Sequence, residues 1–128
     1  MTNDLALLAL RPAVDTEPTT TNAAEAFQNQ TLRPILKLHN ELFLSLFRSY
    51  LVRRKQAPDG RFSRITPPEQ EAYIEHTLRT DQKFRNLLIG TVIGQFTSTE
   101  LADFLADEAE LTRRTLNMIS QRLIDQNV

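Results

Sequence analysis

Apolar residues recur at helical spacing along this chain, and the stretches that carry them are bounded by residues that start or stop helices. The most regular set is Leu32, Ile35, Leu36, His39, Leu42, Phe43, Leu46, Phe47, Tyr50 and Leu51, which follows the i, i+3, i+4, i+7 period of one helix face. Leu38, Leu44 and Val52 widen that stripe, and Arg33, Lys37, Glu41, Ser45 and Arg48 form the polar side. So broad a face predicts more than one neighbour, a second subunit among them. Thr31-Leu32-Arg33-Pro34 reads as the helix start with proline in its first turn, or as a kink, because Ala23 to Gln30 is helix-prone too.

Thr66-Pro67-Pro68-Glu69 is the next start signal, a capping residue, proline at the first helical position and a glutamate where a capping box places it. The helix it opens, through about Arg79, has a thinner apolar face of Ala72, Tyr73, Ile74 and Leu78 and is expected at the edge of the bundle. Thr80-Asp81 caps a third helix. Its stretch Phe84 to Phe96 holds seven large apolar residues in thirteen, together with Gly90 and Gly94, which fall on one helix face. This predicts a buried central helix with a close crossing at the two glycines. A strand is the rival reading, since Ile89, Val92 and Ile93 are good strand formers, but no partner strand of comparable quality exists. Thr97-Ser98-Thr99-Glu100 is a second capping box, opening one continuous last helix to about Asp125 with Leu101, Phe104, Leu105, Ala109, Thr112, Leu116, Ile119 and Leu123 on its apolar side.

The expected fold is therefore all-α, a compact four-helix bundle-like domain over residues 22–128 with an extended N-terminal arm over residues 1–21. In the arm, Leu5 to Leu10 is continuously apolar but too short for an independent helix, and Pro12, Pro18 and Thr19-Thr20-Thr21 oppose regular structure after it. Six apolar residues in a row are poorly suited to water. If ordered, they belong on an apolar groove of their own subunit or of a partner.

Composition narrows the class. At 128 residues the chain fits one domain and needs no staple. The absence of cysteine removes disulfides and thiolate chemistry and suits a reducing cytoplasm. A net charge of −1 argues against coating nucleic acid through bulk charge. The run Leu5 to Leu10 falls far below the length of a membrane span. Nor does it read as a secretory signal, since Asp4 precedes it and Arg11 and Pro12 end it.

Candidate chemistry is sparse. His39 lies within the apolar stripe, where it reads either as a base or metal ligand or, better, as a buried or interfacial histidine bonded to one polar partner. His76, beside Glu75, reads as solvated. No His-Glu-x-x-His or Cys-x-x-Cys occurs, and neither histidine follows a glutamate by three, so no metal ligand, cofactor or catalytic residue is assigned. Between Arg48 and Arg64, six basic residues, Arg48, Arg53, Arg54, Lys55, Arg61 and Arg64, face one acid, Asp59, with Tyr50 and Phe62 among them. This is a solvated helix end, a surface for the acids Glu100, Asp103, Asp107, Glu108 and Glu110, or an anion patch. Within the loop, Ala57-Pro58-Asp59-Gly60 reads as a turn with glycine free to take a positive φ. A helix-turn-helix over Thr99 to Arg114 finds no turn former between Ala106 and Leu111.

The segments Phe27 to Leu38 (FQNQTLRPILKL), Tyr73-Ile74-Glu75-His76 and Lys83 through Thr97 resemble a group of small uncharacterised bacterial all-helical proteins, some of which bear the label glyoxalase. The resemblance covers about residues 25–126. The label implies a metal-dependent lyase, whose paired strand modules and four histidine, glutamate or glutamine ligands this chain lacks. The expectation from the residues themselves is a cytoplasmic, non-enzymatic helical protein that works as a homo-oligomer, a dimer first, or by binding another protein, without nucleic acid or membrane.

Overall fold

Capping chemistry sets the helix starts. The structure, a computed structural model, describes residues 3–14 and 22–128, so the expectations for Pro18 and the threonine run lie outside it. Thr66 and Glu69 exchange side-chain and backbone bonds at the start of one helix, and Thr97 and Glu100 do the same at another. Asp81 accepts from the Phe84 N–H at 3.1 Å, and Asn22 accepts from Ala24 and Glu25. Each satisfies donors that a helix start leaves open, and losing such a cap costs about 1 kcal/mol.

The helices are α1 (Asp4–Leu10), α2 (Ala23–Phe27), α3 (Arg33–Leu38), α4 (Asn40–Arg53), α5 (Pro67–Thr80), α6 (Gln82–Ile93), α7 (Ser98–Ala106) and α8 (Glu108–Asp125), with a π turn over Gln28–Leu32 and a 3₁₀ turn over Arg61–Ser63. The architecture is all-α, and among the described residues there is no strand.

Three interruptions depart from the expected long helices. Pro34 lies inside a continuous run rather than at its start, because the preceding turn is wide and the Arg33 N–H reaches back to the Gln28 carbonyl. A proline ring clashes with the carbonyl four residues before it, and a π turn moves that carbonyl aside. His39 then breaks α3 from α4 with φ −102° and ψ 20°. Asp107, at φ −143° and ψ 48°, divides the predicted last helix into α7 and α8. That break resets the apolar phase. Leu101, Leu105 and Ala109 are exposed, and the buried face of α8 runs through Leu111, Thr115, Leu116, Ile119, Ser120 and Leu123.

The central element is α8, which packs against α4, α5, α6, α7 and the π turn. The stretch expected at the centre forms an amphipathic flank instead, burying Phe84, Leu88, Val92 and Phe96 and exposing Leu87, Gly90 and Gly94. Around this frame stand two aromatic clusters. Phe27, Phe96 and Phe104 meet with centroid distances of 5.3–6.4 Å. Phe47, Tyr50, Phe62, Tyr73 and Phe84 form the other at 4.7–6.2 Å. Each edge or offset contact adds about 0.5–1.5 kcal/mol beyond its burial.

The turn after α4 is closed differently from the expectation. Gln56 N–H reaches the Leu51 carbonyl at 2.8 Å and Lys55 N–H the Val52 carbonyl at 3.0 Å, the paired bonds of a Schellman ending. Lys55 takes the left-handed conformation at φ 56°. Gly60 has φ −104°, and its place is set by crowding. A Cβ there would collide with the Lys55 carbonyl and the Gln56 backbone.

Candidate functional site

The arm is fastened at both ends to the corner between α6 and α7. Arg11 donates from both terminal nitrogens to the two Glu100 carboxylate oxygens at 2.6 Å, and to the Gln95 carbonyl at 2.8 Å. The pair is nearly sealed from water, with side chains 8% and 15% exposed. Thr31 adds a hydroxyl donor to Glu100 at 3.3 Å, and Thr97 N–H donates to it at 2.9 Å. At the other end of α1, Asp4 accepts from the Ser98 N–H at 3.1 Å. Two carboxylates thus meet the open N–H groups of α7, where the helix dipole favours negative charge. Burial pushes the Glu100 carboxyl upward, but the bonds from Arg11 and Thr97 and the arginine's charge outweigh it and leave it below the usual 4.5.

These polar fastenings do not bury the arm's apolar side chains. Leu5, Leu8 and Leu10 are 84%, 47% and 60% exposed, and α1 contains no buried residue. The arm is docked, and of the two places expected for its apolar run, a groove of its own subunit or of a partner, the first does not receive Leu5, Leu8 or Leu10 among the described residues.

A second feature is a groove of about 950 Å³ between α5, α6 and α8. Leu78, Ala109 and Leu116 give it apolar lining, and Arg79, Arg85 and Arg113 bring guanidinium groups. Arg85 donates to the Leu78 and Arg79 carbonyls at 3.0 and 2.7 Å, closing the end of α5. Arg113 forms a bidentate pair with Glu110 at 2.8 and 2.9 Å; hydrogen bonds from Arg113 and then Arg114 pull the Glu110 carboxyl down to about 2. Ser120, 8% exposed, lines the groove, and its buried Oγ has no partner among the described residues. An orphaned buried hydroxyl costs about 1–3 kcal/mol. The groove joins positions from three helices, a juxtaposition that periodicity does not reveal.

The residues singled out from sequence fare unevenly. His39 is half-buried at the α3–α4 break, and its buried Nε2 lacks, among the described residues, the polar partner expected for it. His76 is exposed, with Nδ1 3.4 Å from Arg79. Among the described residues no three His, Asp or Glu side chains gather where a metal could be held. Among the described residues Gly90 and Gly94 form no crossing: a Cβ at Gly90 would meet none of them within 4 Å, and one at Gly94 would meet only its own helix's carbonyls.

The basic segment is partly committed to structure. Arg54 pairs with Asp81 at 2.8 Å and lies over the Tyr50 ring, 4.7 Å from its centroid. Tyr50 donates to the same carboxylate at 2.7 Å. Burial, then the bond to Asp81, pushes the Tyr50 phenol up to about 12. Arg64 donates to the Asp59 carbonyl at 3.2 Å, while Arg48, Arg53, Lys55 and Arg61 are exposed. Two of the five acids expected to face this segment are engaged elsewhere, Glu100 by Arg11 and Glu110 by Arg113 and Arg114. Asp103 and Asp107 line a smaller hollow of about 400 Å³ with Phe27 and Thr31.

The fold and these features define an all-α protein with a docked apolar arm and one arginine-lined groove. No helix among the described residues is long and apolar enough to cross a membrane. Comparison with protein-family models, with curated proteins and with solved structures finds no match to this chain.

Proposed function

We propose that this protein works through protein–protein association, with a second copy of its own chain seated on α1. The observation that carries the reading is a helix held at both ends by polar contacts with Leu5, Leu8 and Leu10 turned to water. A closed two-fold contact requires a patch that fits itself. Between Asp4 and Arg11, both engaged within their own chain, α1 presents six uncharged apolar residues, so two copies can pack antiparallel without opposing charges.

Each leucine fully buried in such a contact contributes about 1.5–3 kcal/mol. A helix of seven residues spans only about 10 Å, so α1 alone falls short of a standard interface. Leu101 and Leu105 are also exposed, on the helix to which α1 is fastened. The reading is a weak, reversible dimer in a reducing, cytoplasmic setting, the latter resting on the cysteine-free composition.

Sedimentation velocity on the full chain from about 1 to 100 µM tests it. The expected result is a concentration-dependent dimer that Leu5→Ser with Leu8→Ser converts to monomer. A native chain that stays monomeric throughout, or a dimer indifferent to both substitutions, overturns the proposal.

A further inference from the structure

Arg11, Arg85, Arg114 and Arg122 are the part-buried arginines of this chain, and the first three have acceptors that answer their charge. Arg11 meets Glu100, Arg114 meets Glu110, and Arg85 meets two carbonyls at the end of α5. Arg122, in the last turn of α8, meets a single neutral amide oxygen, Asn40 Oδ1, at 3.2 Å. Burial first, and then the charge of Arg33, pulls its guanidinium below the usual arginine value. The C-terminal end of a helix suits one cation. It does not answer two, and a part-buried cation beside another is unfavourable until an anion joins them.

The surroundings hold these charges in place rather than neutralise them. Arg33 follows the π turn, which packs against α8, and Asn29 holds its Nε at 2.9 Å. One turn on, Lys37 shares the Arg33 face of α3 and donates to the Ala13 carbonyl at 3.2 Å. Like charges at that spacing are themselves unfavourable. Asn40 and Gln126 exchange amide bonds of 2.7 Å in both directions, which fixes the oxygen that receives Arg122. Glu41 and Asp125, the acids nearest in sequence, form no ion pair with Arg33, Lys37 or Arg122, and Asp125 accepts from Gln121 instead. Among the described residues Arg122 keeps Nε and Nη2, and Arg33 both terminal nitrogens, without a bond.

We propose that Arg33 and Arg122 together bind one dianionic tetrahedral oxyanion, a phosphate or phosphate monoester, between the start of α3 and the end of α8, with Lys37 supplying further positive charge. The guanidinium fork matches phosphate oxygens in pairs, and a fork already held by one bond loses less freedom when it grips an anion. A phosphate monoester carries about −1.5 to −2 charge near neutral pH, which balances the two guanidiniums. A carboxylate leaves one of them unanswered.

Titration of the isotope-labelled full chain with inorganic phosphate, methyl phosphate and acetate, at constant ionic strength and about pH 7.5, tests this by NMR of the amides and the arginine Nε–H groups. Both phosphates are expected to shift Arg33, Asn40 and Arg122 saturably, and acetate to bind at least about tenfold more weakly. Tighter binding of methyl phosphate assigns the site to a monoester, and tighter binding of inorganic phosphate to the free ion. Arg122→Gln is expected to weaken phosphate by about tenfold or more. Because Arg122 also packs between helices, Arg33→Gln, at an exposed position, supplies a second test with the same expected loss, whereas Arg53→Gln leaves affinity unchanged. Equal binding of acetate, shifts that do not saturate, shifts mapping to residues 48–64, or full affinity in Arg33→Gln overturns the proposal.

Discussion

Replacing Arg11 with alanine separates docking of the arm from stability of the domain. The guanidinium makes two bonds to Glu100 and one to the Gln95 carbonyl, and it is nearly sealed from water. A hydrogen bond to a charged group contributes about 1.5–3 kcal/mol net. Desolvation of both ions offsets part of that sum, so the clamp holds the arm by about 2–3 kcal/mol. At 1.4 kcal/mol per factor of ten, its loss raises local opening about 30- to 140-fold. The domain itself changes little, because α1 buries no residue, and Glu100 keeps its bonds from Thr97 and Thr31. Amide hydrogen exchange reads both quantities, the arm through residues 7–11 and the domain through α8. Expected is fast exchange in the arm with α8 protection nearly intact. Unchanged arm exchange, or equal losses in both regions, would refute the reasoning. Acid gives the same opening without mutation. A carboxylate held below its unfolded value stabilises above that value and loses its contribution as pH falls through the folded one, so the clamp weakens below about pH 4.5.

Four further tests probe the scaffold by urea unfolding and titration. Lys55→Gly relieves a left-handed residue at φ 56° and should gain about 1 kcal/mol; a loss would argue against the Schellman ending. Gly60→Ala should lose about 2–3 kcal/mol by forcing a Cβ into the Lys55 and Gln56 backbone, while Gly90→Ala, whose Cβ meets nothing, should gain about 0.5–1 kcal/mol. A destabilising alanine at Gly90 would restore the close crossing. The Tyr50 phenol, pushed up to about 12, stabilises the folded state below its ordinary 10 and loses that contribution as pH rises toward 12; absorbance titration should show Asp81→Asn lowering the pH at which it ionises.

Local chemistry was the legible part of the sequence. The boxes at Thr66 and Thr97 and the cap at Asp81 involve groups three residues apart, so spacing alone reveals them. The breaks at His39 and Asp107 carry no proline or glycine, and each is a single residue, so no local signal marks them. The arm helix escaped propensity because its ends are held by tertiary bonds, one joining residues 89 positions apart. Glu100 was read as a capping residue, which it is, but the same carboxylate receives Arg11. The glycine pair misled for a related reason. Periodicity places Gly90 and Gly94 on a common face, and only the packing decides whether that face meets a helix or water. Neither groove nor clamp has a linear signature, since each is assembled from separate elements.

The wide turn before Pro34 also bears on the length of the chain. It holds an extra residue, and each residue of a helix advances its phase by about 100°. Deleting one residue from 28–32 would therefore swing Ile35 and Leu36, both fully buried, out of the core unless the turn relaxed to ordinary α geometry. The Pro34 ring opposes that relaxation. A one-residue deletion can be absorbed here together with Pro34→Ala and not without it, so the surplus residue and the proline stand or fall as a pair.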